Sequence, residues 1–507
     1  VRQKMKYTSK LACFTIFSAI VLIPSITLAA AKPKKADLVV EDISDFQVFP
    51  RKDNSGSITF TAKKTDKLSV AVTRDADGKE IASASFDNIS SNTPFSVTNI
   101  PVGGEYTVTF KTGEKESVYR HILIGEIWVV GGQSNALGAE GTPTDPIPQI
   151  HLYREKWMEG KDPVFPWFDG KIHVTPWIRA AAEYYRLTGV PVGLMGFCAP
   201  GREIEFFMDF WRNDFYHFQP FVNKSGRDAS VFMWYQGETD CYTPARPFYK
   251  DRLTTAAAAL RRYAANSNMT VVIVQLSWLN DHTNKPSSAW GRIRDAQRQF
   301  CAADPNAILI PALPYGHRDF IHLDLDGMLG LGNAMAVALA ESKEAGKPVW
   351  QGPRAVSAAF TGKSRRQIRI TFDSAKQLVI PDADKDKKIA PGASWFVTDK
   401  THRGDPDLVS AKIEGDVLKI DVYGATLSLP RDKNVPDNTA TIKLTDSGFI
   451  KPEKVFADGL NLLLDLPVAA AEGAKVSYAI MSSSRSTLTD EKGRAAAAFF
   501  DLPVAEP

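Results

Sequence analysis

The sequence predicts an α/β domain built on a parallel sheet, with a β-rich, sandwich-like domain on either side of it. Two observations carry this. Between residues 121 and 345, near-continuous apolar runs alternate with helical patterns, the βαβα order of a parallel sheet covered on both faces. From 37 to 120 and from 350 to 507, short alternating strands are separated by Asn, Asp, Gly and Pro, the pattern of antiparallel sandwiches. The length of 507 residues exceeds one ordinary domain, and a chain 44% hydrophobic and 23% charged has the composition of a folded protein.

Residues 1–31 read as an export signal. Arg2, Lys4, Lys6 and Lys10 precede an apolar run from Leu11 to Leu28, and Ala29, Ala30 and Ala31 supply a small-residue cleavage site. A periplasmic or secreted protein is expected, with no stable membrane span after cleavage. The chain has 61 basic and 58 acidic residues, and four of the basic ones lie in this leader, so the remainder carries no excess of positive charge. Nothing in that balance calls for nucleic acid. Cys198, Cys241 and Cys301 follow the leader, and export makes Cys198 and Cys241 candidates for a disulfide.

In the first β region the expected strands are SITFTAK, LSVAVTR, EIASASF, PFSVTNI and YTVTFKT. In the central region they are ILIGEIWVV, VPVGLMGFC, SVFMWYQ, MTVVIVQL and NAILIPAL. Helices are expected at Pro176 to Leu187, Pro247 to Ala265, Ser287 to Ala302 and Gly327 to Glu341. No GxGxxG nucleotide fingerprint follows any of these strands. Residues 139 to 175 read as an irregular insertion whose aromatics, Tyr153, Trp157, Phe165, Trp167 and Phe168, form either a platform for a sugar ring or a small core that holds the loop down. In the last region the strands are RQIRITF, KQLVI, SWFVTD, DVLKIDV, TATIKLT, NLLLDLP and KVSYAI.

The chemistry starts from Leu123 to Gly138, LIGEIWVVGGQSNALG. An apolar strand ends at Gly131 and Gly132, and small polar residues suited to a helix start follow. Ser134 therefore stands at the carboxyl end of a sheet, where open α/β folds bind ligands. A serine nucleophile needs a base, usually a histidine oriented by a carboxylate. Asp319 and His322, in DFIH, follow the last apolar strand and lie three residues apart on one loop. A tetrahedral intermediate also needs donors for its oxyanion. Gly201, in FCAPGREIE, and Gln236, at the end of SVFMWYQ, stand after two further strands, although each also reads as an ordinary turn glycine or sheet-end amide. HExxH and paired-cysteine motifs are absent, which disfavours a metal hydrolase, and no metal or organic cofactor is expected.

Together GQSN, APGREIE, WYQGE and DxxH resemble the SGNH hydrolases, in that family's order. GEIWVVGGQSN and MWYQGET are similar to its sialate O-acetylesterase-like branch, which includes acetylxylan esterases. A GxSxG elbow, the mark of the α/β-hydrolase fold, is missing. The resemblance implies a three-layer SGNH domain and a serine esterase acting on O-acetylated carbohydrate. It implies Ser134 as nucleophile, His322 as general base and acid, Asp319 as its orienting carboxylate, and an oxyanion hole from the N–H groups of Ser134 and Gly201 and the side chain of Gln236. Candidate substrate contacts are Gln133, Arg202, Glu238 and Trp167. For Arg202 the plainer reading is a surface arginine paired to Glu203 or Glu205, and for Glu238 a structural hydrogen-bonding role. Two positions depart from the family pattern: Pro200 and Arg202 replace a glycine and a threonine around Gly201, and Leu323 stands where the family has proline. Readings from other classes are a non-catalytic carbohydrate-binding protein and another SGNH activity such as a lipase or thioesterase. Substrate identity and oligomeric state are left open.

Overall fold

The structure, a computed structural model, describes residues 40–507 apart from 144, 166–169, 210–211, 220–226, 244–245, 280–287, 374, 381–393, 403–407, 415–416, 423–424, 431–448 and 487. The expected leader, the strand TATIKLT, Trp167 and Phe168 thus lie outside the described residues. Among the described residues no helix is long and apolar enough to cross a membrane.

The organising element is strand β1, Lys115–Gly132. Its first seven residues are exposed or half-buried, and its last eleven are all buried. The first part pairs antiparallel with Gly103–Thr112 and closes the second sheet of the N-terminal β region. The last part is the centre of the parallel sheet. The expected boundary at residues 120 and 121 therefore falls inside one continuous strand. The two patterns visible in the sequence are two environments of a single element, half-buried first and buried on both faces afterwards. Within the N-terminal region the sheets face each other across Phe60, Val70, Val72, Val108, Phe110 and Ile122, all at most 1% exposed.

The parallel sheet contains, in chain order, β1, β2 (Ile150–Arg154), β3 (Val192–Cys198), β4 (Val231–Tyr235), β5 (Thr270–Gln275) and β6 (Ala307–Pro311). Its spatial order is β2-β3-β1-β4-β5-β6, and every neighbouring pair is parallel. The chain leaves β1 toward β3 on one side and returns to β4 on the other. The carboxyl end of β1 is therefore the switch point, where such sheets bind ligands. Helix α1 is the short Ser134–Leu137, and α2 is Pro176–Thr188. Helices α3 (Tyr249–Ala264), α4 (Ala289–Ala303) and α5 (Leu325–Ala345) follow. Helix α2 packs on α5, and α3 on α4. Same-handed crossovers running in opposite directions from β1 put these pairs on opposite faces. Ala256, Ala257 and Ala259 of α3 are buried, so its backbone lies close to its neighbours.

The stretch 139–175 is more regular than expected. Ala139–Glu140 pairs with His173–Val174, and β2 extends the parallel sheet and forms a hairpin with Lys156–Glu159. Tyr153, Trp157 and Phe165 are buried in the main core, with the Tyr153 and Trp157 rings 5.4 Å apart. Of the two expected roles, packing is the one these three perform.

Among the described residues the C-terminal β region holds a seven-stranded sheet, whose central members are Phe499–Ala505, Arg354–Phe360 and Gln367–Asp373, a three-stranded sheet of Leu408–Glu414, Val417–Val422 and Ala425–Pro430, and a short ladder of Leu378–Val379 with Thr489–Asp490. Ile368, Ile370, Leu462, Leu464 and Tyr478 are fully buried in its core, which also takes in Trp278 and Leu313 from the α/β domain. Arg294 of α4 bolts the two regions together. It is fully buried and donates to the carbonyls of Leu276 (2.9 Å) and Ser277 (2.6 Å) on one side. On the other it donates to Ala479 (2.6 Å) and Met481 (3.0 Å). Burial pushes its pKa down to about 9.

Arg294→Met keeps much of the side-chain volume but takes away the donor of the Leu276 and Ala479 carbonyls, while the Ser277 carbonyl keeps the Trp290 indole N–H and the Met481 carbonyl keeps the Ser484 N–H. At ~1–3 kcal/mol for each unsatisfied buried group, a loss of about 2 kcal/mol or more of stability is expected, read as a lowered melting temperature. An unchanged melting temperature contradicts the bolt.

Candidate active site

The nucleophile turn exists because the end of β1 is pinched from both sides. A Cβ on Gly131 would lie 2.5 Å from the Phe197 carbonyl oxygen of β3. One on Gly132 would lie 1.9 Å from that of Tyr235 in β4, and Gly132 has φ 145°. Both positions therefore require glycine. The chain then turns into α1, whose first residue is Ser134. As the first helical residue, its N–H has no acceptor within the helix. Gln133 is 2% exposed, and its Oε1 accepts from the N–H groups of Gly237 and Thr239 at 3.3 Å. Gln133 thus ties the turn to the segment after β4. As a substrate contact it is corrected: no face of its amide is open.

The imidazole of His322 arrives on the loop after β6. His322 Nδ1 lies 2.7 Å from Asp319 Oδ2, and Nε2 lies 3.0 Å from Ser134 Oγ. A carboxylate at Nδ1 fixes the proton there and leaves Nε2 to accept from the serine hydroxyl. Asp319 Oδ1 also accepts from the N–H groups of Ile321 (2.9 Å) and His322 (2.7 Å). Burial alone would raise the Asp319 pKa, but these bonds and the imidazole outweigh it and hold the carboxyl below its usual range. Ser134 and His322 are half-buried, so the relay opens to solvent on one side.

Asn135, next to the nucleophile, is 1% exposed. Its Nδ2 donates to Glu238 Oε1 (2.7 Å) and to the Ile321 carbonyl (3.2 Å), and its Oδ1 accepts from the Leu323 N–H (3.0 Å). Leu323 stands where the resemblance leads one to expect proline, which has no N–H to give. Glu238 is 3% exposed and lies beneath the turn. It is a support rather than a substrate contact, in line with the structural reading. Trp167 lies outside the described residues.

The expected oxyanion donors fare differently. Gly201 is exposed, with φ 69°, on the turn directly after β3. Since Cys198 is in register with Gly132, that turn stands beside the nucleophile turn. Gln236 is fully buried. Its Nε2 donates to Asp240 Oδ2 (2.5 Å) and to the Arg202 carbonyl (3.0 Å), and its Oε1 accepts from the Tyr249 hydroxyl (3.1 Å). Both amide hydrogens are spent, so its expected role is corrected: Gln236 braces the Gly201–Arg202 turn and offers no free donor. Asp240 completes the brace by accepting from the Ile204 N–H at 3.0 Å.

Arg202 is exposed and pairs with neither neighbour that the sequence offered it. Glu205 pairs with Arg252 instead, and the Arg202 guanidinium lies 4.8 Å over the Phe206 ring. His217 stacks between Phe206 (4.6 Å) and Phe197 (5.2 Å). This cationic–aromatic column at the end of β3 was not legible, because its members come from three segments. Phe320, 54% exposed, stands on the catalytic loop between Asp319 and His322. The disulfide is not formed. Cys198 and Cys241 are free thiols, whose Sγ atoms donate to the carbonyls of Gln133 (3.0 Å) and Gly237 (3.4 Å). Among the described residues the one group with metal-ligand proximity is Asp75, Glu105 and His121, which belongs to the N-terminal β region and not to the serine site.

The site is thus a Ser–His–Asp relay at the switch point of a parallel sheet, reached without a GxSxG elbow. Residues 124–341 match the family described as "Carbohydrate esterase, sialic acid-specific acetylesterase". Among solved structures, a carbohydrate acetylesterase from Xanthomonas citri shares 17% identity over 90% of this chain and 97% of its own, with a TM-score of 0.61. A protein from Arabidopsis thaliana shares 20% identity over 43% of this chain and 98% of its own, with a TM-score of 0.36. NanS shares 12% over 42% and 97%, with a TM-score of 0.32. The likeness to the first shows a common fold along nearly the whole chain. No curated protein sequence matches at a significant level.

Burial pushes Glu238 up to about 7, against the Asn135 hydrogen bond, which lowers it. Burial likewise pushes Asp240 up to about 7, against its bonds from Gln236 and Ile204. In the unfolded chain both ionise near pH ~4. The contribution of these two carboxyls to stability is therefore greatest in acid, falls as pH rises from about 4 toward 7, and levels off above, where both states are ionised. Glu238→Gln removes its share of that slope: the melting temperature is expected to rise at pH 8 and to stay unchanged at pH 4. Equal changes at both pH values contradict the raised pKa.

Proposed function

We propose that the chain is a serine esterase that removes acetyl groups from carbohydrate hydroxyls through an acetyl-enzyme. The observation that carries this is the continuous relay from Asp319 through His322 to Ser134 Oγ at the carboxyl end of β1. Ser134 Oγ attacks the acetyl carbonyl while His322 Nε2 takes its proton. Asp319 stabilises the imidazolium that forms. The N–H groups of Ser134 and Gly201 receive the oxyanion, each donor contributing roughly 2.7–4 kcal/mol at comparable sites. The tetrahedral species collapses, and the sugar alcohol leaves with the proton from His322. Water then attacks the acetyl-enzyme, its proton going to His322, and acetate departs as Ser134 is restored.

The family match over residues 124–341 supports acetylated carbohydrate as the substrate class. The column of Arg202, Phe206, His217 and Phe197, with the exposed Phe320, supplies a polar and an aromatic surface suited to a sugar ring. The relay argues against a purely carbohydrate-binding role, since recognition needs no imidazole held against a hydroxyl. The leader-like residues 1–31 extend the proposal to export, in line with an extracellular or periplasmic polymer or glycan as substrate.

Purified chain is expected to hydrolyse an aryl acetate, and Ser134→Ala to lower kcat by at least about 10⁴-fold with the fold retained, the scale on which a hydrolytic triad acts. Substantial activity in that variant overturns the serine mechanism. Acetate release from O-acetylated sialic acid, acetylated xylan and acetylated pectin, followed in parallel, identifies the sugar. Negligible rates on all three overturn the carbohydrate assignment. A chelator is expected to leave the rate unchanged, and strong inhibition contradicts the metal-free scheme.

A further inference from the structure

We propose that Asn135 is a positioning residue that sets the distance between His322 and Ser134, and that Glu238 orients it for that task. This rests on the serine-esterase reading above. The loop bearing His322 has two kinds of support. The first is local: Asp319 Oδ1 accepts from Ile321 and His322, the Arg318 N–H donates to the His322 carbonyl (2.9 Å), and the Asp324 N–H to the Gly316 carbonyl (3.0 Å). These bonds fix the shape of the loop. None of them reaches the nucleophile turn, so none fixes where the loop stands relative to Ser134.

Asn135 supplies the second kind. One planar amide, on the residue after the nucleophile, holds the peptide groups on both sides of His322, the Ile321 carbonyl and the Leu323 N–H. The bonded residues lie 186 and 188 positions apart in sequence. With both flanking peptides tied to Asn135, the imidazole cannot drift from Ser134 Oγ without breaking a bond that is buried.

The amide works in one orientation only. Reversed, it would set its N–H against the Leu323 N–H and its oxygen against the Ile321 carbonyl. Glu238 Oε1, at 2.7 Å from Nδ2, selects the working orientation, because a carboxyl oxygen in that place accepts from an N–H and repels an amide oxygen. Glu238 Oε2 is buried and has no hydrogen-bond partner among the described residues, so only Oε1 serves the site. Burial that pushes the Glu238 pKa up to about 7 favours a neutral carboxyl, which a glutamine amide mimics in size and in its acceptor oxygen.

The test compares Asn135→Ala, Glu238→Ala, Glu238→Gln and Ser134→Ala in the full chain. Rates on an aryl acetate are expressed per serine titrated to completion with a fluorophosphonate, so that misfolded protein does not count, and for Ser134→Ala per total protein. Asn135→Ala is expected to lower kcat about 10²-fold, the scale of a ~1 Å misplacement, with KM changed by less than about threefold. Glu238→Ala is expected to lose a similar factor, and Glu238→Gln to recover most of it. The low-field proton resonance of the His322–Asp319 hydrogen bond is expected to persist in Asn135→Ala, because the local bonds of the loop survive. Three results overturn the proposal. In one, Asn135→Ala keeps the parent kcat per titrated serine. In another, the loss is confined to the titratable fraction and the melting temperature, as a merely structural role predicts. In the third, Glu238→Gln is as impaired as Glu238→Ala. If Ser134→Ala itself stays active, the esterase reading fails first; if it is inert while Asn135→Ala is unimpaired, only this inference fails.

Discussion

The site depends on a steric constraint at the end of β1. Two neighbouring strands bring their carbonyl oxygens so close to Gly131 and Gly132 that no side chain fits there. The pinch forces the turn that lifts Ser134 out of the sheet, and its position between β3 and β4 makes that turn the switch point of the fold. The turn after β3 carries Gly201, and the segment after β4 carries Gln236 and Glu238. Each lies against the nucleophile turn because its strand is hydrogen-bonded to β1. Only the base comes from a distant strand, β6, and it alone requires a separate device to bring it home.

That division accounts for what the sequence made legible. Strands buried on both faces write themselves as apolar runs, so β1, β3, β4, β5 and β6 could be read directly. Ser134, Asp319 and His322 were legible because each follows such a strand and because acid and imidazole sit on one short loop. The roles of amides were not. Gln236 and Gln133 stand in the motif that the resemblance singles out, yet whether a buried amide faces a ligand or a backbone group depends on partners distant in sequence, here Arg202 for Gln236 and Gly237 and Thr239 for Gln133. Arg294 gave no signal at all, since the carbonyls it binds lie on Leu276 and Ser277 and, some 185 positions on, at Ala479. The aromatics of residues 139–175 were legible as a cluster with core as one of two open roles, because β2 joins the sheet at its edge through a pairing that the alternation of apolar runs does not announce.

Chemistry and selection are carried by different parts of the molecule. The relay of Asp319, His322 and Ser134 is held by hydrogen bonds to main chain and to buried amides, which leaves little room for variation. The groups around it, exposed Arg202 over Phe206, half-buried His217 between two phenyl rings, and exposed Phe320 on the loop of His322, make no such side-chain ties to the relay. Arg202, one of the two departures from the family pattern around Gly201, falls in this outer set.

The central claim is that an acyl group resides on Ser134 during turnover. Rapid acid quench of the enzyme with an aryl acetate, followed by mass spectrometry of its peptides, tests it directly. The account predicts one acetyl group on the peptide containing Ser134, formed within the burst and absent from Ser134→Ala. Steady turnover with no acetylated peptide, or an acetyl group on another residue that survives the substitution, would contradict it.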